Sequence, residues 1–459
     1  SGEIDYIFPD GTTLAPGGFL VVAKDPTAAQ SFYGVSFLGP YDGKLANSGG
    51  TVRLRNELDG ILLEVEYDNR APWPVAAFGT GHSLVLSHPS YGENDPQAWS
   101  ASDLIGGSPG AIDGYTTGPE DDVVINEYLA HTDLPQVDYV ELFNAGSSPV
   151  DLSGAWLSDE AGTNKFQIAN GTTFPARGVL SFDQNELGFA LSADGEEIFL
   201  VNAGQTRVID AVSFRGQANG VSEGRYPDGT PGFQPLDVVT EGTANAAYRL
   251  WPVVINEIMY HPISESDNDE YIELYNRTGS PVDISGWRLQ GGISYQFPDA
   301  AEIPANGYVV VAENATNLIS TYTQLNSSNT YGNYGGTLGN GGDTVRLSMP
   351  EDLIATNASS LVVTNIFYIP IDEVTYLDGG RWGAWSDGGG SSLELIDPDA
   401  DNRQAASWAD SDETAKAPWT TIDVTDYLTH GRETADRIEL YLQGAGEMLF
   451  DDLEFRNNG

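Results

Sequence analysis

An all-β fold, assembled from tandem antiparallel β-sandwiches, is predicted by three features of this sequence. Apolar and polar residues alternate at period two, as in Tyr271-Ile272-Glu273-Leu274-Tyr275, where Ile272 and Leu274 share one face. Turn formers interrupt these stretches throughout, with 53 Gly and 25 Pro in 459 residues. Whole blocks also recur in a constant order, the mark of a repeat array rather than one core. A chain this long is expected to divide into roughly three or four domains.

The repeats justify the elements in order. An opening block occurs twice, as VVINEYLAHTDLPQVDYVELFN (123–144) and VVINEIMYHPISESDNDEYIELYN (253–276). Each copy reads as two strands around an acidic loop. A turn-and-strand follows, SSPVDLSGAWLSD (147–159) and GSPVDISGWRLQG (279–291), in which Trp156 and Trp287 are expected to fill the space between sheets. Three further blocks occur in triplicate. They are FPDGTTLAPGGFLVVA (8–23) with its counterparts at 166–182 and 297–312, LANSGGTVRL (45–54) with 191–200 and 338–347, and GILLEVEYDN (60–69) with 206–216 and 371–380. Tails with a strand, an acidic loop and a Trp close the first and third copies at 83–102 and 392–411, whereas the second ends in GRYPDGTPGFQPL (224–236). Ser1-Gly2 matches Ser153-Gly154 and Ser285-Gly286, so the first copy lacks the opening block. Truncation or proteolysis is the expected reason. Strand donation by a neighbouring chain is the alternative, because an open sheet edge invites pairing.

The order INE(Y/I), Y(V/I)EL(F/Y)N, VD(L/I)SG, FP…G…VVA and G(G/D)TVRL resembles the lamin-tail domain. That resemblance implies immunoglobulin-like sandwiches of the kind found in nuclear lamins and in many secreted bacterial proteins. The second copy departs most, with EEIFL where the others have TVRL. The expected division is 1–118, 119–248 and 249–418, the last with longer loops. Residues 419–459, ending in GEMLFDDLEF, resemble part of a galactose-binding-like jelly roll.

Sixty-seven acidic residues stand against 20 basic ones, a net charge of −47. Such a surface repels phosphate backbones, which argues against nucleic acid as a partner. It suits a saline or calcium-rich exterior, where ions screen the self-repulsion. With no cysteine, disulfides and thiolate chemistry are excluded. No apolar run is long enough to span a membrane as a helix. The chain starts at Ser1, which is compatible with a leader removed or left out.

Candidate chemistry is sparse. Glu127 with Glu141, and Glu257 with Glu273, lie near His131 and His261. On a strand, positions four apart are separated by about 13 Å, too far for one metal ion. The expected role of these glutamates is to accept backbone or Arg hydrogen bonds at the sandwich end. Asp397, Asp399 and Asp401 alternate along a turn and are the best calcium candidates, though Asn402 and Trp408 stand where an EF-hand needs Gly and Glu. The loop 266–270 and the set Glu447, Asp451 and Asp452 are weaker calcium candidates. Trp382, Trp385, Tyr331 and Tyr334 sit in Gly-rich loops that suit sugar stacking. Asn170, Asn276, Asn314, Asn326 and Asn357 begin glycosylation sequons.

The sequence therefore predicts a non-enzymatic extracellular or cell-surface scaffold or adhesive filament. Its partners would be copies of itself or neighbouring modules, joined by edge strands or end to end. The alternative is a polysaccharide-binding accessory region of a larger extracellular enzyme.

Overall fold

The computed structural model describes residues 4–114, 118–356, 362–411 and 421. The expected jelly-roll segment 419–459 lies outside these apart from position 421. Two compact units emerge, residues 1–250 with 350–370, and residues 251–349 with 371–459.

Within the first unit, the second repeat forms a two-sheet sandwich. A five-stranded antiparallel sheet runs in the order Val179–Asp183, Tyr139–Asn144, Val123–Leu129, Glu223–Gly224, Gln234–Pro235. A four-stranded antiparallel sheet runs Phe166–Gln167, Trp156–Ser158, Glu197–Val201, Val208–Ser213. Alternation decides what lies between them. Ile125, Val140 and Leu142 from one sheet meet Leu157, Ile198, Leu200 and Val212 from the other in a single core.

The second unit repeats this plan with longer elements. Its larger sheet has six strands, ordered Thr330–Gly332, Tyr308–Ala312, Tyr271–Asn276, Val253–Met259, Leu393–Leu395, Trp408–Asp410. One pair, Tyr308–Ala312 with Thr330–Gly332, is parallel, because the chain returns through the helix Ala315–Thr321 before pairing. The opposing sheet contains Arg288–Gly291, Ile293–Gln296 and the parts of Gly342–Thr356 and Val362–Leu377 that fall outside 350–370. Trp287, Leu289, Val345 and Leu347 pack there against Ile255, Ile272, Leu274 and Val309. These are immunoglobulin-like sandwiches, in agreement with the expected fold class.

The two tryptophans part company. Trp287 is buried in its core as expected, but Trp156 is not. Ala155 takes the core position in the second repeat, and Trp156, one residue on, points to the opposite face of the sheet. Because side chains alternate along a strand, a one-residue offset in an otherwise matching motif moves the indole from inside to outside. There Trp156 packs with Phe199, Val201 and Val208 against Val75 of the first repeat.

Among the described residues, those of the first repeat are the least enclosed. Gly50–Arg55 pairs with Ile61–Tyr67, and Leu84–Leu86 with Trp99–Ala101. Its residues 73–105 lie on the outer face of the second repeat's smaller sheet, where His82 Nε2 accepts from Val208 N at 3.0 Å. Ile105 N also donates to the Thr206 carbonyl. Leu14, Leu20, Leu54 and Leu63, all within repeated blocks, remain exposed.

Candidate functional site

The paired glutamates are brought together in both repeats by the same local device. A β-bulge between Ile125 and Glu127, and again between Ile255 and Glu257, offsets the register of the first two strands. Glu127 then stands opposite Glu141, and Glu257 opposite Glu273. In the second repeat both carboxylates are sealed under the chain that follows the last strand. Glu127 accepts from the Thr240 amide at 3.0 Å and from its hydroxyl at 2.8 Å. Glu141 accepts from the Gly242 amide at 2.7 Å and from Asn126 Nδ2 at 3.2 Å. Burial pushes the Glu141 carboxyl up to about 8, against the pull of its amide donors.

In the third repeat Glu257 accepts from the Tyr271 hydroxyl at 2.6 Å and from the Ser392 hydroxyl, while Asn256 Nδ2 donates to Glu273 at 3.0 Å. Burial pushes Glu273 up to about 7. Ser392 lies beside the closing strand Leu393–Leu395, so this pair also fastens the tail to the first strand. Among the described donors to these four carboxylates, amides, hydroxyls and Asn side chains take the place expected for Arg.

The histidines take different parts. His131 Nδ1 lies 2.9 Å from the Gln217 carbonyl and 3.5 Å from Glu351. His261 is held by Asp387 at 2.6 Å on Nδ1 and Glu265 at 3.3 Å on Nε2, and the Asp387 contact raises its proton affinity above the usual range.

The Asp397–Asp401 turn does not gather its carboxylates on one point. Asp397 accepts from the Asp399 amide, Asp399 meets Arg277 at 3.4 Å, and Asp401 is gripped by Arg403 at 3.0 Å. Arg and backbone donors draw the three side chains apart. Among the described residues, no group of three or more His, Asp or Glu is arranged to hold a metal ion. In the loop 266–270, Asp269 binds Ser264 and Asn317, and Glu270 turns inward. Glu447, Asp451 and Asp452 lie outside the described residues.

The aromatic set is likewise dispersed into packing. Tyr334 is a core residue whose hydroxyl donates to Glu270 at 3.0 Å, which corrects its expected exposure. Tyr331 meets Phe297 edge-on at 5.4 Å, and Trp382 lies 6.4 Å from Trp408. The half-buried Trp385 donates its backbone amide to Asp410.

The clasp role of four further acids inside the repeated blocks escaped the sequence reading. Asp138 accepts from the Leu191 amide at 3.0 Å, and Glu270 from the Leu338 amide at 3.0 Å. Asp210 accepts from Ile125 N at 2.8 Å and Asp372 from Ile255 N at 2.6 Å. Each ties one strand block to another. Their signal was available, since an acid stands at the matching place in both complete copies. It was masked by an excess of acidic residues everywhere.

Against proteins of known family, residues 116–216 and 250–364 match the lamin tail domain. No curated protein matches the chain.

Proposed function

We propose, from two lamin-tail segments in series, that this chain is a non-enzymatic scaffold that acts outside the cell or at its surface. One observation carries the reading: the acid pairs that could have done chemistry are spent on holding their sandwiches closed. Glu127 and Glu141 each receive two donors, three of the four from the chain segment that follows and the fourth from the adjacent Asn126. A general base needs a free lone pair facing substrate, and these face their own tail. The acidic surface keeps an array of such modules soluble and apart from other acidic polymers.

Stretching the intact chain tests this. Independent modules should unfold in discrete steps, each releasing about 40–55 nm at about 3.5 Å per extended residue. Smooth extension without steps would sink the reading of a modular spacer. The second reading, polysaccharide binding, draws on the half-buried Trp382 and Trp385. A glycan array silent with the intact chain would remove it. Saturable binding lost in Trp385→Ala would instead replace the scaffold reading.

A further inference from the structure

A histidine ring stands inside the joint where residues 73–105 lie on the second repeat's smaller sheet. His82 is 7% exposed, beside Thr80 at 9% and Ser102 at 3%. Its Nδ1 lies 2.7 Å from the Ser102 carbonyl and 3.4 Å from the Ser102 hydroxyl, and its Nε2 lies 3.0 Å from the Val208 amide. A carbonyl only accepts and an amide N–H only donates, so these neighbours fix the charge of the ring as well as its tautomer. Nδ1 carries the proton, Nε2 keeps its lone pair for Val208, and the ring is neutral. A proton on Nε2 would set donor against donor in a buried place. Val208 begins the edge strand Val208–Ser213, so this bond crosses from one repeat to the other. Beside it the Ile105 amide donates to the Thr206 carbonyl at 2.9 Å, and Val75 packs with Phe199, Val201 and Val208.

Charged groups reach the ring from both sides of the joint. Arg207, next to Val208, pairs with Asp121 at 2.5 Å and lies 3.9 Å from Asp103. Asp113 accepts from the Asp103 amide at 2.8 Å, and Glu160 lines the same cleft as Thr80, Ile105 and Val208. Burial holds the proton affinity of His82 below the usual histidine range. Arg207 acts the same way, against the Ser102 carbonyl, Asp113 and Asp103. The histidine belongs to this copy alone. Strand pairing puts Val221 and Ser391 at the equivalent points of the second and third repeats, and neither titrates near neutrality. Sandwich closure in those repeats therefore does without it.

We propose that this joint is an acid-sensitive latch. Uptake of a proton by His82 weakens the docking of residues 73–105 on the second repeat, whose own sandwich stays folded. The sign follows from linkage, because the docked ring resists a proton that an undocked ring accepts at about pH 6.5. Docking is at full strength above that pH and weakens as pH falls below it. Buried acids of the second repeat act in the opposite sense, since Glu141 and Glu196 bind protons more readily in the native state. Acid thus loosens the joint while it firms the sandwich. The apolar patch of Val75, Phe199, Val201 and Val208 then opens to solvent more often.

Hydrogen exchange of the intact chain at pH 7.5 and 5.0, corrected for the chemical rate at each pH, tests the latch. Peptides covering 103–107 and 206–209 should lose protection toward acid, with an opening equilibrium that rises by up to about thirty-fold. Peptides covering 123–129 and 139–144 should keep or gain protection. A His82→Gln chain cannot take the proton, so its joint should change by less than about three-fold. Should that variant be undocked at both pH values, nitrogen NMR of the unaltered chain decides. A proton on Nδ1 at pH 7.5 and a protonation midpoint below about 6.5 are expected there. Constant or rising protection at 206–209 toward acid, an equal acid response in His82→Gln, or an Nε2–H tautomer at pH 7.5 would each overturn the latch. So would a midpoint at or above about 6.5, or a loss of protection shared by 123–129, which is unfolding of the sandwich.

Discussion

Asn144 and Asn276 end the second strand of each complete sandwich, and each does the same work with one amide. Asn276 Nδ2 donates to the carbonyls of Ser280, Ile303 and Pro304, at 2.8, 3.1 and 2.9 Å. Asn144 Nδ2 does so to Ser148, Phe174 and Pro175. The side chain is fully buried in both cases. Removing it strands carbonyls that water cannot reach, so Asn276→Ala should cost about 2–4 kcal/mol in denaturant unfolding. Asn276→Asp should be no better, since it keeps an acceptor where donors are required. Little of this was legible in advance. Asn276 was visible only as a sequon, because two of its three partners lie 27 and 28 residues away in sequence and meet it only in the fold.

Among the elements, the hairpin of Arg288–Gly291 and Ile293–Gln296 shows how backbone geometry sets register. Gly291 has φ +120°, and a Cβ there would come 1.8 Å from the Thr344 carbonyl. Only Gly allows Arg288–Gly291 to lie this close to Gly342–Thr356. Gly291→Ala should therefore lose at least about 3 kcal/mol of stability, while Gly279→Ala, where the space is open, should change it by less than about 0.5 kcal/mol. Equal effects in calorimetry would show that the approach is not tight. Strand existence and order were readable here from alternation and repeats. Facing was not always so, as Trp156 shows, because one residue of offset reverses a strand without altering its composition.

For the molecule as a whole, burial and charge act in one direction. Burial pushes Glu141 up to about 8, Glu196, Glu270 and Glu273 up to about 7, and Asp372 up to about 6. The native state therefore binds protons that the unfolded chain has released. Stability drawn from these groups is complete below about pH 4 and is lost as pH rises through 6 to 8. The net charge of −47 adds self-repulsion over the same range. The melting temperature should fall from pH 5.5 to 8.5 and recover in part with added salt. Glu141→Gln should flatten the upper part of that curve. A melting temperature that climbs with pH would contradict the assignment of these buried acids.

By itself the sequence determined the all-β class, the serial modules and the strands that each contains, because period-two alternation and internal repetition are local properties. The tertiary structure alone decided which acids are clasps and which tryptophan is core. Those outcomes depend on burial and on partners distant along the chain, and residue identity cannot encode them one position at a time.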